Sequence, residues 1–322
     1  MPLLIVILGL FLLFLLIAKF KLNAFIAFII VSLAVGIAEG MDLEKVVKSI
    51  EHGIGNTLGF LVMILGLGAM LGKLVADSGA AQQITTKLVA KFGIKNIQWA
   101  LVLTGFIVGI PLFYEVGFVI LVPLIFTITA STGLPLLYVG LPMLASLSVT
   151  HGYLPPHPAP TAITAMFNAD MGKVLLYGII IAIPAIAVAG PWFSRTIKNV
   201  EATPLKDFVN PTVLTEEEMP GINISIFTAL LPIILIMFST VADLFFPKDY
   251  GFMPVVNFIG NPVIAMLVSV LVAIYTLGLA RGKRMTEVMA SMASSISGIT
   301  MVLLIIAGAG ALKEVLIDSG VS

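Results

Sequence analysis

The stretch Thr150-His-Gly-Tyr-Leu-Pro-Pro-His-Pro-Ala-Pro-Thr161 lies inside an apolar region that otherwise reads as membrane helix. Four prolines and one glycine in twelve residues cannot continue a helix. Proline has no backbone donor, and its ring clashes with the preceding turn. Helix-like apolar sequence flanks both sides, with the segment before it spanning Leu136–Val149. A membrane helix broken in this way frees backbone groups to face a ligand, and carriers place substrates at such breaks. The helix is expected to resume near Pro160-Thr161, with Thr161 as its cap and its free N–H groups favouring an anion. The competing reading is a solvent-exposed proline-rich loop.

Two histidines, His151 and His157, bracket the break, and a histidine can change charge near neutral pH, which suits proton coupling. Each can equally be a structural residue with its hydrogen bonds satisfied. A metal site is a weak idea here, because the spacing is six and no cysteine or paired carboxylate is near. No metal or other cofactor is therefore expected.

A second interruption lies upstream. Gln98–Ser131 is long and apolar, broken by Gly109-Ile-Pro-Leu-Phe-Tyr-Glu-Val-Gly117. It reads as a re-entrant helical hairpin over about 98–131, or as two short spans. Glu115 is the one formal charge between Lys95 and Asp170. A carboxylate deep in a span costs roughly 2.5 kcal/mol or more, so it is rarely idle. The alternative is a loop tip in ordinary water. No Arg or Lys shares the stretch, so a bound carboxylate would rely on N–H groups, hydroxyls and helix ends. Tyr114, Tyr153, Thr161, Thr164 and Asn168 can offer hydrogen bonds to a polyol.

Composition places these breaks in a membrane. Of 322 residues 59% are hydrophobic and only 11% charged, and mean hydropathy is +1.14. So few charges cannot cover a globular surface, and most of the surface must face lipid. Formal net charge is zero, so nothing points to nucleic acid. The absence of cysteine excludes disulfides, thiolate metal sites and cysteine nucleophiles. No nucleophile elbow, phosphate loop or zinc-protease motif occurs. Met1–Phe20 lacks a basic leader and a cleavage site, and reads as the first membrane helix.

Further apolar stretches fall at Pro2–Ala18, Leu22–Ala38, Leu58–Val75, Val174–Phe193, Ile224–Ala242, Pro262–Leu279 and Ile299–Leu316. Asp42–Asn56 reads as an amphipathic interfacial helix, with His52 a solvated residue upon it. Lys198–Gly221 is the longest polar stretch and reads as a linker. With a re-entrant region at 98–131, Lys19, Lys21, Lys87, Lys91, Lys95, Arg195, Lys198, Lys206, Arg281, Lys283 and Arg284 share one side. Lys45, Lys48, Lys173 and Lys248 take the other, in agreement with the positive-inside rule. Two full spans give the same downstream orientation.

The chain repeats itself. GLGAMLGKLVADSG (Gly66–Gly79) aligns with GAGALKEVLIDSG (Gly308–Gly320) after one deletion, and helices starting near Asn23 and Asn261 correspond. The glycine pairs Gly66/Gly68 and Gly308/Gly310 suggest close helix packing. Gly79 and Gly320 are expected to end helices, with Asp77 and Ser78 serving local backbone groups. The organisation expected is a first repeat over 1–197, a linker over 198–221 and a second, inverted repeat over 222–322. The first repeat holds five membrane helices, the hairpin and the helix broken over about 136–165. The second repeat lacks counterparts of residues 80 to about 195, so the chain reads as incomplete by roughly 100 residues if both repeats are to match.

GIPLFYEVGFVILVPL (Gly109–Leu124) and THGYLPPHPAPTA (Thr150–Ala162) resemble the gluconate permease (GntP) family, and the similarity runs over essentially the whole chain. The resemblance implies an all-α polytopic membrane protein of the ion-transporter superfamily type. Such a protein has two inverted repeats, each with a hairpin and a broken helix, and forms a homodimer with scaffold and mobile transport domains. It implies import of gluconate or a related sugar-acid anion with protons, across a bacterial inner membrane. D-serine or another small acid is the alternative substrate, and Na⁺ the alternative coupling ion. An ion channel or a membrane-enzyme subunit is the remote alternative. The expected substrate site comprises Tyr114, Glu115, Gly117, His151, Gly152, Tyr153, His157, Thr161 and Thr164, with Glu115 and His151 coupling protons. No catalytic residue is expected.

Overall fold

The computed structural model describes residues 2–200, 202, 214–247 and 249–321. Helices make up its regular structure, and no strand occurs among the described residues. In chain order these are α1 (Pro2–Phe14), α2 (Ala24–Ala38), α3 (Leu43–Asp77), α4 (Ala80–Phe92), α5 (Ile97–Gly109), α6 (Tyr114–Thr132) and α7 (Leu136–Tyr153). Then follow α8 (Pro158–Met166), α9 (Met171–Ala187), α10 (Phe193–Thr196), α11 (Ile222–Phe245), α12 (Met253–Gly260), α13 (Pro262–Ala273) and α14 (Met285–Asp318). Seven helices of the described residues are long and apolar enough to cross a membrane, or eight if α4 and α5, bent by 110°, count as one. The protein is an all-α, multi-pass membrane protein. The linker residues 203–213, and with them Lys206, lie outside the described residues, as does Lys248. At the linker's described end, the Thr215 N–H and hydroxyl donate to Glu218 Oε2 at 2.7 and 2.9 Å. These two donors hold the Glu218 carboxyl below the usual range.

Two compact units emerge. One comprises residues 1–63 and 297–322. Its core joins Val31 and Val35 of α2, Val46 and Ile50 of α3, and Ala311, Leu312 and Val315 of α14. A methyl group at Gly53 would lie 2.5 Å from the Gly310 carbonyl, so α3 and α14 cross there in backbone contact. This crossing explains a difference from the sequence reading. The amphipathic segment 42–56 is no separate interfacial helix but the first half of a 35-residue α3. Gly53 sits within it where only hydrogen fits.

The other unit comprises residues 64–296 and holds both sequence breaks. Helices α5 and α7 press together at Gly105, whose added methyl would lie 2.3 Å from the Met143 carbonyl. Ser146 Oγ donates to the Val102 carbonyl at 2.8 Å across the same contact. The region 98–131 forms α5 and α6 with residues 110–113 between them, and the broken helix forms α7 and α8 with residues 154–157 between them.

The Asp-Ser-Gly turns do more than end helices. Gly79 and Gly320 take φ of +78° and +79°, as expected of helix ends that need glycine. Ser78 serves local backbone, donating to Val75 O and accepting from Ala80 N. Asp77 does not. Its carboxylate accepts from Ser291 Oγ at 2.6 Å and pairs with Lys73 at 2.8 Å, while Lys283 donates to its carbonyl at 3.2 Å. In the first unit Asp318 accepts from Ser49 Oγ at 2.6 Å, and Lys45 donates to its carbonyl at 3.3 Å. The same contact is thus built twice, with the start and end of α3 and α14 exchanging roles. Asn23 and Asn261 likewise cap α2 and α13 with near-identical backbone angles.

Candidate functional site

The break after α5 is buried and apolar: Ile110, Pro111 and Leu112 are all enclosed. A methyl at Gly72 of α3 would lie 2.4 Å from the Pro111 carbonyl, so the loop is wedged against a helix backbone. Among the described residues the N–H of Phe113 has no backbone acceptor, nor do those of the first turn of α6, where Gly117 N to Phe113 O (2.9 Å) is the first bond. Glu115 is exposed on that first turn, where the helix dipole favours a negative charge.

The second break is built differently. Leu154 N bonds Thr150 O and His157 N bonds Leu154 O, both at 3.1 Å, and Pro155 and Pro156 carry no N–H at all. Helix α8 starts at Pro158, not near Pro160-Thr161, because proline is tolerated in the first turn. Its N-cap is therefore His157. Thr161 is not a cap but a buried residue inside α8 whose hydroxyl has no partner among the described residues. With prolines at 158 and 160, the start of α8 has few N–H groups to offer an anion, contrary to the sequence reading.

His157 joins the two breaks. It is 4% exposed, its Nε2 is 2.8 Å from the Gly109 carbonyl, and its Nδ1 is 3.2 Å from His151 Nδ1. The Gly109 carbonyl is an orphan of the last turn of α5, and the ring supplies its donor. Phe113 stands edge-on to both histidines, with ring centres 6.1 and 6.2 Å away, and Tyr114 lies 6.3 Å from His151. Glu115 lies within electrostatic reach of His151.

A narrow cleft opens beside this cluster. Ile110, Pro111 and Phe113 from the first break wall it, with Pro156 and His157 from the second. Gly68 of α3, Pro232 of α11 and Met266 of α13 close its other sides. Of the expected site residues, the structure brings Tyr114, His151 and His157 into one cluster with Glu115 in reach. Gly117 instead packs α6 on α7, since its added methyl would lie 2.8 Å from Leu147. Thr164 donates to Pro160 O at 2.6 Å, and Gly152 and Tyr153 are exposed. Asn168 follows α8 in a left-handed conformation, φ 48°. Phe113, Gly68, Pro232 and Met266 were not expected. Pro232, a proline inside an apolar helix, carried a signal in the sequence. Gly68 was read as a packing glycine. That reading suits Gly308 and Gly310, whose methyls would lie 2.7 and 2.1 Å from Phe28 and Thr57, but a methyl at Gly68 meets only Met266 at an ordinary 3.5 Å. No cluster of potential metal ligands occurs among the described residues.

The family model described as GntP family permease matches residues 1–322. The chain belongs to the GntP permease family. Within it, the "High-affinity gluconate transporter" of Escherichia coli (strain K12) is 54% identical over 321 residues, covering 100% of this chain and 73% of that protein. The "Gnt-II system L-idonate transporter" of the same organism is 52% identical with the same coverage. The "Gluconate permease" of Bacillus subtilis (strain 168) is 50% identical over 331 residues, covering 100% of this chain and 74% of the relative. No solved structure matches the chain. This GntP permease is a membrane transporter, not an enzyme, and a multi-pass protein of the bacterial inner membrane.

Proposed function

We propose that this permease imports gluconate or a related sugar-acid anion by proton symport with alternating access. The observation that carries the reading is the cavity walled by both breaks and bridged by His157. Relatives at 50–54% identity are named for gluconate and L-idonate, two sugar acids, which favours that class over D-serine. The N–H groups of Phe113 and the first turn of α6 are the natural seat for a substrate carboxylate. Glu115 occupies that same helix start. While ionised it repels a second carboxylate, and once protonated it leaves the dipole and donors to the substrate. A proton and an anion then load together, adding no net charge, so the loaded site carries the same single negative charge as the empty one and is spared a second. His151, within electrostatic reach of Glu115, is the partner that takes up or passes the proton.

Alternating access draws support from the duplicated Ser–Asp contacts and the paired Asn caps, which are what inverted repeats 1–197 and 222–322 of an ion-transporter-type fold would produce. The homodimer belongs to the same reading. In proteoliposomes, radiolabelled gluconate uptake should rise with an imposed inward proton gradient. Glu115→Gln should abolish the response to the gradient while gluconate exchange continues. Gradient-driven uptake that is unchanged in Glu115→Gln would sink this assignment.

A further inference from the structure

The bridge between the breaks has a chemical polarity. A carbonyl oxygen only accepts, so the 2.8 Å contact to Gly109 requires His157 to carry its proton on Nε2. In a neutral ring the other nitrogen, Nδ1, is then a lone pair. It faces His151 Nδ1 at 3.2 Å, so His151 must donate there and hold its own proton on Nδ1. His151 Nε2 is left as the bare nitrogen. His157 is buried where a charged ring is costly, whereas His151 is only partly buried. An added proton can bind His151 Nε2 without breaking either hydrogen bond of the chain. The titratable groups that the described residues bring to His151 are His157, Tyr114 and Glu115.

We propose that His157 is a positioning residue that fixes the tautomer of His151, so that His151 presents Nε2 as the single proton-accepting nitrogen of the pair. The direction of the chain rests on geometry alone; its use in transport rests on the symport reading above. The backbone of one break thereby sets the proton chemistry of the other. Any motion that carries residues 110–113 away from 154–157 breaks the Gly109 bond, frees the tautomer of His157 and with it that of His151.

The chain holds only three histidines, His52, His151 and His157, so ¹⁵N-histidine labelling in detergent or nanodiscs resolves them all. Spectra recorded about two pH units above the ordinary histidine pKa show neutral tautomers. Assignment comes from His52→Asn and His151→Asn. His157 is expected as Nε2–H and His151 as Nδ1–H. In His157→Gln the amide nitrogen can still serve Gly109, but nothing accepts from His151, which should leave the Nδ1–H form. In His157→Asn the amide oxygen stands where Nδ1 stood, and His151 should keep it. Wild-type His151 found as Nε2–H, or a tautomer untouched by His157→Gln, overturns the proposal. In proteoliposomes the pH midpoint of gluconate uptake should move by about one unit in His157→Gln and stay in place in His157→Asn. Expected tautomers with wild-type uptake indifferent to the proton gradient would support the positioning role and defeat the symport reading instead.

Discussion

The two breaks solve the same backbone problem in opposite ways. Both interrupt buried helices, where an unpaired polar group costs free energy. At residues 154–157 the chain removes the problem: two prolines delete donors, and the remaining N–H groups close turns on Thr150 and Leu154. At residues 110–113 the Phe113 donor finds no backbone acceptor among the described residues, and the Gly109 carbonyl is met by a side chain from the other break. The proline break therefore accounts for its own N–H groups. The glycine break is incomplete without a partner, and its open donors border a cavity. The lesson is that the segment richer in prolines supplies the scaffold and the titratable rings, while the plainer segment supplies the groups a ligand would use.

The strongest attack on this comparison removes the packing that holds both breaks together. Gly105→Val places a side chain against the Met143 carbonyl, where backbone cannot yield. A loss of about 3 kcal/mol is expected, read as a collapse of monodisperse yield and of thermal unfolding temperature in detergent. A normal melting profile would show that α5 and α7 do not need this contact. Next, His157→Leu keeps the volume and strands the Gly109 carbonyl, so a loss of about 1–3 kcal/mol is expected, with most recovered in His157→Gln. Equal stability in the leucine variant would mean that the glycine break closes itself. The smallest effect on stability is expected at Thr161, a buried hydroxyl with no partner among the described residues. Thr161→Val should leave melting unchanged or slightly raised. If the hydroxyl is held for substrate, KM for gluconate should rise by roughly three- to tenfold. Unchanged KM would place Thr161 outside the binding path.

Much of this was legible before any coordinates. Gly109-Ile-Pro and the run of prolines from 155 to 160 mark the ends of α5 and α7 because propensity at these positions is overwhelming. The poverty of donors at the start of α8 was also legible, since Pro158 and Pro160 stand in the sequence; the expectation of an anion-binding start there overlooked them. The joining of 42–56 to the following span was not legible. Only the structure puts the Gly310 backbone against Gly53 on the joined helix. The Asp-Ser-Gly repeat was visible, yet its serine partners, Ser49 and Ser291, lie far off in the chain.

The sequence by itself determined that this protein lives in lipid, is helical, is broken twice near its few ionisable groups, and belongs with the gluconate permeases. These follow from local chemistry: hydropathy, missing donors, and motifs read along the chain. Only the tertiary structure decided that His157 spans from one break to the other, that His151 is thereby oriented, and that Phe113, Gly68, Pro232 and Met266 share one cavity. Gly68 with Met266 and Phe113 with His157 lie 198 and 44 residues apart in the chain. No local preference encodes them; they exist because packing of separate helices brings an orphan carbonyl and a buried ring to within hydrogen-bond distance.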